Sequence, residues 1–212
     1  MLHTFAAGFP GAPDLHYARM VADHIKADHH EVIVTMDEVL SALPRVIFHL
    51  ESFDALLVRS SLMNYLVARE AGKYVPAAFS GEGGDELFAG YEYLKNLPVE
   101  ALSEELIDIT GRLHNTALQR VDRSAAAGGI IPYVAFLDPE VVLYALRIPV
   151  QLKLRGGVEK WILRQSMVGM LPDEVLNRPK AKFWQGAGVQ DLLQEHAERV
   201  VSDHDFEVER RL

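Results

Sequence analysis

Apolar residues in the first part of the chain alternate between two periods. The run from His3 to Phe9 reads as a strand closed by the turn Pro10-Gly11-Ala12-Pro13, after which Leu15, Ala18, Met20, Val21, Ala22 and Ile25 recur at helical spacing. Glu31 to Thr35, with β-branched Val32, Ile33 and Val34, predicts a second strand. A helix then starts near Asp37 and carries Val39, Leu40, Leu43, Val46, Ile47 and Leu50. A further helix from about Leu56 to Ala71 stops at Gly72, and Tyr74 to Phe79 predicts a third strand. Strands alternating with helices imply a parallel sheet with right-handed crossovers. After about Lys95 the spacing becomes helical almost throughout, in the stretches from Leu102 to Arg123, Pro139 to Leu146, Val158 to Met170 and Val189 to Val201, with little that reads as strand. The expected organisation is thus an α/β part over residues 1–95 and a mostly α-helical part over 96–212.

Composition narrows the class. Hydrophobic residues make up 49% and charged residues 24% of the 212, as in soluble globular proteins, and no uncharged apolar run approaches the ~18 residues of a membrane span. No signal-peptide pattern opens the chain, so a cytoplasmic location is expected, with no membrane partner. The absence of cysteine excludes disulfides, Cys-containing zinc sites and a thiol nucleophile within these residues. A net charge of −9 argues against a nucleic-acid partner, but the charge is uneven. Between Leu146 and Phe183 eight basic residues (Arg147, Lys153, Arg155, Lys160, Arg164, Arg178, Lys180, Lys182) face three acidic ones. That window is a solvated basic face or a phosphate-binding lobe.

In α/β sheets ligands sit beyond the carboxyl ends of strands, which directs attention to Ser80-Gly81-Glu82-Gly83-Gly84-Asp85-Glu86 after the third strand. Glycines let backbone N–H groups approach a phosphate, and the start of the next helix would add its positive end. Three acids would repel a bare phosphate, so a Mg²⁺ ion held by oxygen ligands is implied between them and the anion. The competing reading is a polar turn that caps the next helix through Ser80 or Asp85. Neither a Gly-Lys-Ser/Thr phosphate loop nor a G-x-G-x-x-G fingerprint occurs, since Glu86 stands where the last glycine would be. Asp28-His29-His30-Glu31 invites a metal reading, but adjacent residues entering a strand point to opposite faces, so a structural role is expected. Ser60-Ser61 lacks the G-x-S-x-G elbow of a hydrolase. Trp161 and Trp184 are expected as core anchors, and His49 and His114 as core or boundary histidines.

The run Phe79-Ser80-Gly81-Glu82-Gly83-Gly84-Asp85-Glu86-Leu87-Phe88-Ala89-Gly90-Tyr91 resembles the Ser-Gly-Glu-Gly-x-Asp-Glu signature of the synthetase domain of asparagine synthetases. Other segments agree in family order: Leu2-His3-Thr4-Phe5 through Pro13-Asp14-Leu15, Asp28-His29-His30-Glu31, Glu51-Ser52-Phe53-Asp54 with Arg59, Arg120-Val121-Asp122-Arg123, Phe136-Leu137-Asp138, Glu159-Lys160-Trp161-Ile162-Leu163-Arg164 and Arg178-Pro179-Lys180-Ala181-Lys182-Phe183. The resemblance runs from Leu2 to about Gly188. It implies an adenine-nucleotide-hydrolase-like, PP-loop ATPase type of sheet. It also implies a two-step reaction with ATP, Mg²⁺, aspartate and ammonia, in which an acyl-adenylate forms and ammonia then displaces AMP. On this resemblance Asp85 would hold Mg²⁺, Glu82 would be a base for the amine, and Ser80 and Gly81 would contact the nucleotide. Lys180 would offset phosphate charge, and Arg120 and Arg59 would contact substrate or phosphate.

Three departures accompany the resemblance. The family's pyrophosphate loop, a Ser-Gly-Gly-x-Asp-Ser stretch, and the strand before it do not occur in these residues. The glutaminase domain with its N-terminal cysteine is also missing, so ammonia would come from elsewhere. Where many members have Gly-x-Glu-x-Arg-x-Pro-Phe-Leu-Asp, this chain has Gly129-Ile130-Ile131-Pro132-Tyr133-Val134-Ala135-Phe136-Leu137-Asp138. The first and third departures keep open a catalytically silent nucleotide-binding or interaction module as the alternative. A missing strand beside the His3 to Phe9 run also predicts an unpaired sheet edge, apolar surface, and a homodimer or larger assembly.

Overall fold

The computed structural model describes residues 1–179, 186, 187, 190–202, 204, 205 and 207. The chain opens with β1 (His3–Gly8), crosses through α1 (Pro13–His24) and returns as β2 (Asp28–Ile33). The two strands pair in parallel, from His3 opposite Asp28 to Gly8 opposite Ile33. β2 starts three residues before the expected Glu31, because polar Asp28-His29-His30 is drawn into the ladder by β1 rather than by its own apolar pattern. The His29 ring, for example, meets the Thr4 hydroxyl at 2.8 Å.

The next two helices follow from their caps. α2 (Met36–Leu50) begins at a capping box in which the Glu38 N–H donates to Thr35 Oγ1 at 3.3 Å and the Thr35 N–H donates to the Glu38 carboxylate at 2.9 Å. α3 (Ala55–Ala71) begins where Asp54 Oδ1 accepts from the Leu57 N–H at 2.7 Å, and it ends at Gly72. The core lies between these helices and β1–β2, on buried Val34, Val39, Val46, Leu50, Leu62, Met63 and Leu66.

Beyond α3 the expected third strand contracts to β3 (Ala77–Phe79). It pairs in parallel with β4 (Ile131–Tyr133), a strand in a half where helical spacing predicted almost none. Three residues with a proline in the middle carry no readable period, and Pro132 fits only where its missing N–H is not needed by the ladder. Helix α4 (Gly84–Leu87) follows β3, and the second half otherwise holds α5 (Val99–Gly111), α6 (Ala117–Ala127), α7 (Pro139–Arg147), α8 (Val150–Lys153), α9 (Trp161–Ser166), α10 (Asp173–Leu176) and a last helix over Gln190–Val200. The helix expected from Leu102 to Arg123 is broken by a 3₁₀ turn at Leu113–Asn115, where α5 has ended at Gly111 and Thr116 leaves helical backbone geometry. The one expected from Val158 to Met170 shrinks to α9. Lys160 stops it upstream with a left-handed backbone (φ 53°), and Gly169 (φ 78°) turns the chain downstream. No helix among the described residues is long and apolar enough to cross a membrane.

The strands form two separate two-stranded parallel sheets, β1–β2 and β3–β4. Between β1 and β3 lies an apolar slot of about 640 Å³, walled by Thr4, Phe5, Ala68, Val75, Ala78 and Ile130 among others. The unpaired edge expected beside β1 is therefore present among the described residues. On the β3–β4 sheet Phe79, which lines the slot, is 80% exposed, and Ile131 and Tyr133 are 58% and 53% exposed. Open edges with exposed apolar residues recruit other strands. The 212-residue chain is expected to self-associate, its weight-average mass in sedimentation rising at least about twofold between dilute and concentrated samples, and Tyr133→Lys is expected to reverse this. A concentration-independent monomer would contradict it.

Candidate active site

β3 delivers the chain to the glycine-rich loop, where the Ser80 N–H donates to the Tyr133 carbonyl at 2.9 Å and so extends the β3–β4 ladder to the loop's first residue. Gly83 sits at φ +92°, and a Cβ there would lie 2.5 Å from Leu137 Cδ2, so both backbone and space require glycine. Neither Ser80 nor Asp85 caps α4, whose N-cap Gly83 has no side-chain bond. The helix-capping reading of the loop is thereby removed. α4 is only four residues long, so it also lacks the positive end expected from a helix start there.

The three acids of the loop have different fates. Glu82 is held by α6, with its Oε1 2.7 Å from Arg120 Nη2 and both side chains about four-fifths buried. Asp85 Oδ1 lies 3.0 Å from Lys160 Nζ, each side chain a little over one-quarter exposed. Glu86 points inward, 3% exposed, and accepts a hydrogen bond from the Tyr91 hydroxyl. Burial pushes the Glu86 carboxyl up, and burial together with the adjacent Glu86 pushes the Tyr91 hydroxyl up. Two carboxylates are therefore available to chemistry here, not three, and the third is a packing element.

Lys160 is the residue that the sequence left without a role. Its ammonium reaches Asp85 because its left-handed backbone turns the chain into α9 while its N–H donates to the Phe88 carbonyl at 3.1 Å. A Cβ on Gly90 would fall on Asp85 Oδ1 and on Lys160 Cε, so glycine is required for this pair to form. The sequence signals for Lys160 were its place in the basic window and in a segment that matched the family in order.

The remaining candidates divide. Arg59 is half-buried on α3, and Gly81 is exposed in the loop. Lys180 and Trp184 lie outside the described residues. Trp161 is half-buried with the Arg155 guanidinium 4.6 Å from its ring centre. His49 stacks near Tyr65, but His114 is exposed rather than at a core boundary, its Nδ1 3.0 Å from the Gly111 carbonyl.

The basic window is neither a free face nor a uniform phosphate lobe. Arg164 binds Glu159 at 2.6 Å, Arg178 pairs with Asp14, and Lys153 is 1% exposed, so among the described cations of the window Lys160 is the one paired with an acid of the loop. Burial lowers the Lys153 ammonium to about 8. Its folded pKa lies below its unfolded one, so the penalty is in full force below pH 8 and fades as pH rises toward the ordinary lysine value of ~10.4. Lys153→Met is expected to raise stability at pH 7 by about 2 kcal/mol and to abolish the gain that the parent shows between pH 7 and pH 10 in denaturant titrations. Equal pH dependence in both proteins would contradict it.

Comparison with known proteins bears on this geometry. The sequence model of the family described as asparagine synthase matches residues 1–108 and 98–212. The probable asparagine synthetase [glutamine-hydrolyzing] of Schizosaccharomyces pombe is 40% identical over 224 residues, covering 99% of this chain and 40% of its own length. Asparagine synthetase [glutamine-hydrolyzing] of Gallus gallus is 40% identical over 213 residues, 95% of this chain and 38% of its own. Asparagine synthetase B [glutamine-hydrolyzing] of Escherichia coli K12 is 38% identical over 215 residues, 99% of this chain and 39% of its own. The chain thus spans about two-fifths of the length of these curated relatives.

Proposed function

This chain belongs to the asparagine synthase family, and from that premise we propose that it carries much of the ATP-dependent amide-forming site of an asparagine synthetase. Its α/β part would be a PP-loop ATPase type of sheet, with the glycine-rich loop after β3 at the nucleotide. The observation that carries the reading is the pair of ion contacts, Glu82–Arg120 and Asp85–Lys160, bracketing that one loop.

In the first step a carboxylate oxygen of the aspartate side chain attacks the α-phosphorus of ATP, forming the acyl–phosphate bond while the bond to pyrophosphate breaks. Such a displacement needs alignment and charge stabilisation rather than a covalent protein group, which suits a site of fixed cations and carboxylates. Asp85 is a hard oxygen donor at a partly open position, which fits Mg²⁺, and Asp85 would hold it; the ion supplies neutralisation of phosphate charge. Lys160 orients Asp85, and Lys180 would face the leaving pyrophosphate. Ser80 and Gly81 would line the nucleotide, and Arg59 would contact phosphate or substrate.

In the second step ammonia attacks the acyl carbon and AMP leaves with the bonding pair. The nitrogen must lose a proton as the amide forms, and Glu82, whose carboxylate is held 2.7 Å from Arg120, would accept it. Ile131 and Tyr133, which replace the family's Glu and Arg, lie in β4 and so serve the sheet beside the loop.

The reading is tested by supplying the protein, extended upstream through a Ser-Gly-Gly-x-Asp-Ser loop, with ATP, aspartate and ammonium. Asparagine and AMP are expected in equal amounts. Formation of ADP instead, or of no amide at all, would overturn it.

A further inference from the structure

Among the described residues, one cluster of metal-ligating side chains lies outside the loop. Because side chains alternate along a strand, Asp28 and His30 share one face of β2 while His29 and Glu31 take the other. The parallel register sets His3 opposite Asp28 and Phe5 opposite His30, so a ring from β1 completes the group. His3 Nδ1 is 3.0 Å from His30 Nε2 and 3.5 Å from Asp28 Oδ2, and His30 Nε2 is 3.6 Å from the same carboxylate oxygen. Ligands held ~2.0–2.1 Å from a tetrahedral ion are ~3.3–3.5 Å apart. The three donor atoms therefore already form one face of such a tetrahedron to within a few tenths of an ångström.

The surroundings favour a fixed site. The His30 ring stacks 4.9 Å from Phe5 and 4.0 Å from Tyr74, and His3 lies 6.0 Å from Tyr74, so aromatic walls hold both imidazoles. The side chains of His3 and His30 are 25% and 15% exposed, while that of Asp28 is 47% exposed and leaves a path for an ion and a fourth, water ligand. Without the ion, one facing imidazole nitrogen carries the hydrogen shared between the two rings, and coordination through both facing nitrogens moves that hydrogen to the other nitrogen of its own ring.

We propose that His3, Asp28 and His30 form a binding site for a divalent transition ion of the zinc class, which clips β1 to β2. Two imidazoles and one carboxylate suit Zn²⁺ or Co²⁺ rather than Mg²⁺ or Ca²⁺. None of the three residues belongs to the loop, so the site is separate from the proposed amide chemistry and stands whether or not that chemistry does. Asp28-His29-His30-Glu31 alone does not disclose the group, since the third donor comes from the neighbouring strand.

The test is titration of the tag-free 212-residue protein with Co²⁺, followed by visible d–d absorption and by competition with Zn²⁺. One equivalent is expected to bind with tetrahedral bands, and Zn²⁺ is expected to raise the melting temperature. His3→Gln, Asp28→Asn and His30→Gln should each weaken binding at least about tenfold and cancel the melting shift, with circular dichroism confirming that each folds. His29→Gln, on the opposite face, should bind as the parent does. Equal binding by the parent and all three ligand variants, loss of binding in His29→Gln, or no saturable binding below about 1 mM would overturn the proposal.

Discussion

Replacing Glu82 with glutamine, in the protein extended upstream through the pyrophosphate loop, is expected to lower asparagine formation by about 10²–10⁴-fold while aspartate-dependent adenylation persists. Glutamine keeps the length of the side chain and can still meet Arg120 through its carbonyl oxygen, so the contact at 2.7 Å has a substitute. What glutamine cannot do is take a proton from nitrogen. The defect should therefore fall on amide formation alone, leaving acyl-adenylate to accumulate or to hydrolyse to AMP and aspartate. Rapid-quench measurement of AMP and asparagine separates the two steps. Asparagine formation at the parent's rate would remove Glu82 from the chemistry, and equal loss of both steps would make it a binding residue instead.

The second large effect concerns the seam between α3 and α6. Gly72 and Gly128 follow the ends of these helices, and a Cβ on Gly128 would sit 2.5 Å from the Ala68 carbonyl carbon. The obstacle is backbone, which cannot swing aside as a side chain tip would. Gly128→Ala is expected to cost about 3 kcal/mol and to lower the melting temperature by roughly 6–12 °C in a chain of this size. Gly129→Ala, next along the chain, meets nothing within 4 Å but sits at φ +74°, and a cost of only about 1 kcal/mol is expected. Comparable losses in both variants would show that backbone conformation, not the close approach of the helices, sets the price.

The contrast between what the sequence disclosed and what it hid has physical causes. β1, α1, α2 and α3 were legible because their signals are local, a period along each and a terminal glycine at Gly72, while the caps at Thr35 and Asp54 that fix where α2 and α3 begin came from the structure. β4 was hidden because its reason for being a strand is β3, far away in the chain, and because Pro132 is a poor strand former. The glycine-rich loop was legible as a candidate, but the division of labour among its acids was not. Glu86 faces inward only because Tyr91 and the surrounding core receive it, and Asp85 acquires Lys160 only through the left-handed turn before α9. In the same way the basic window looked like a phosphate lobe because pairing cannot be seen in one dimension. Arg164 and Arg178 are bound to Glu159 and Asp14 of the chain itself.

The central claim is that the loop after β3 activates aspartate with ATP, and it is tested most directly by aspartate-dependent exchange of labelled pyrophosphate into ATP. With the protein extended upstream through the pyrophosphate loop, exchange is expected in the presence of Mg²⁺ and aspartate and in the absence of ammonia. It should fall at least about 10²-fold in Asp85→Asn and in Lys180→Ala. Exchange that ignores aspartate, or that is undiminished in both variants, would contradict the account.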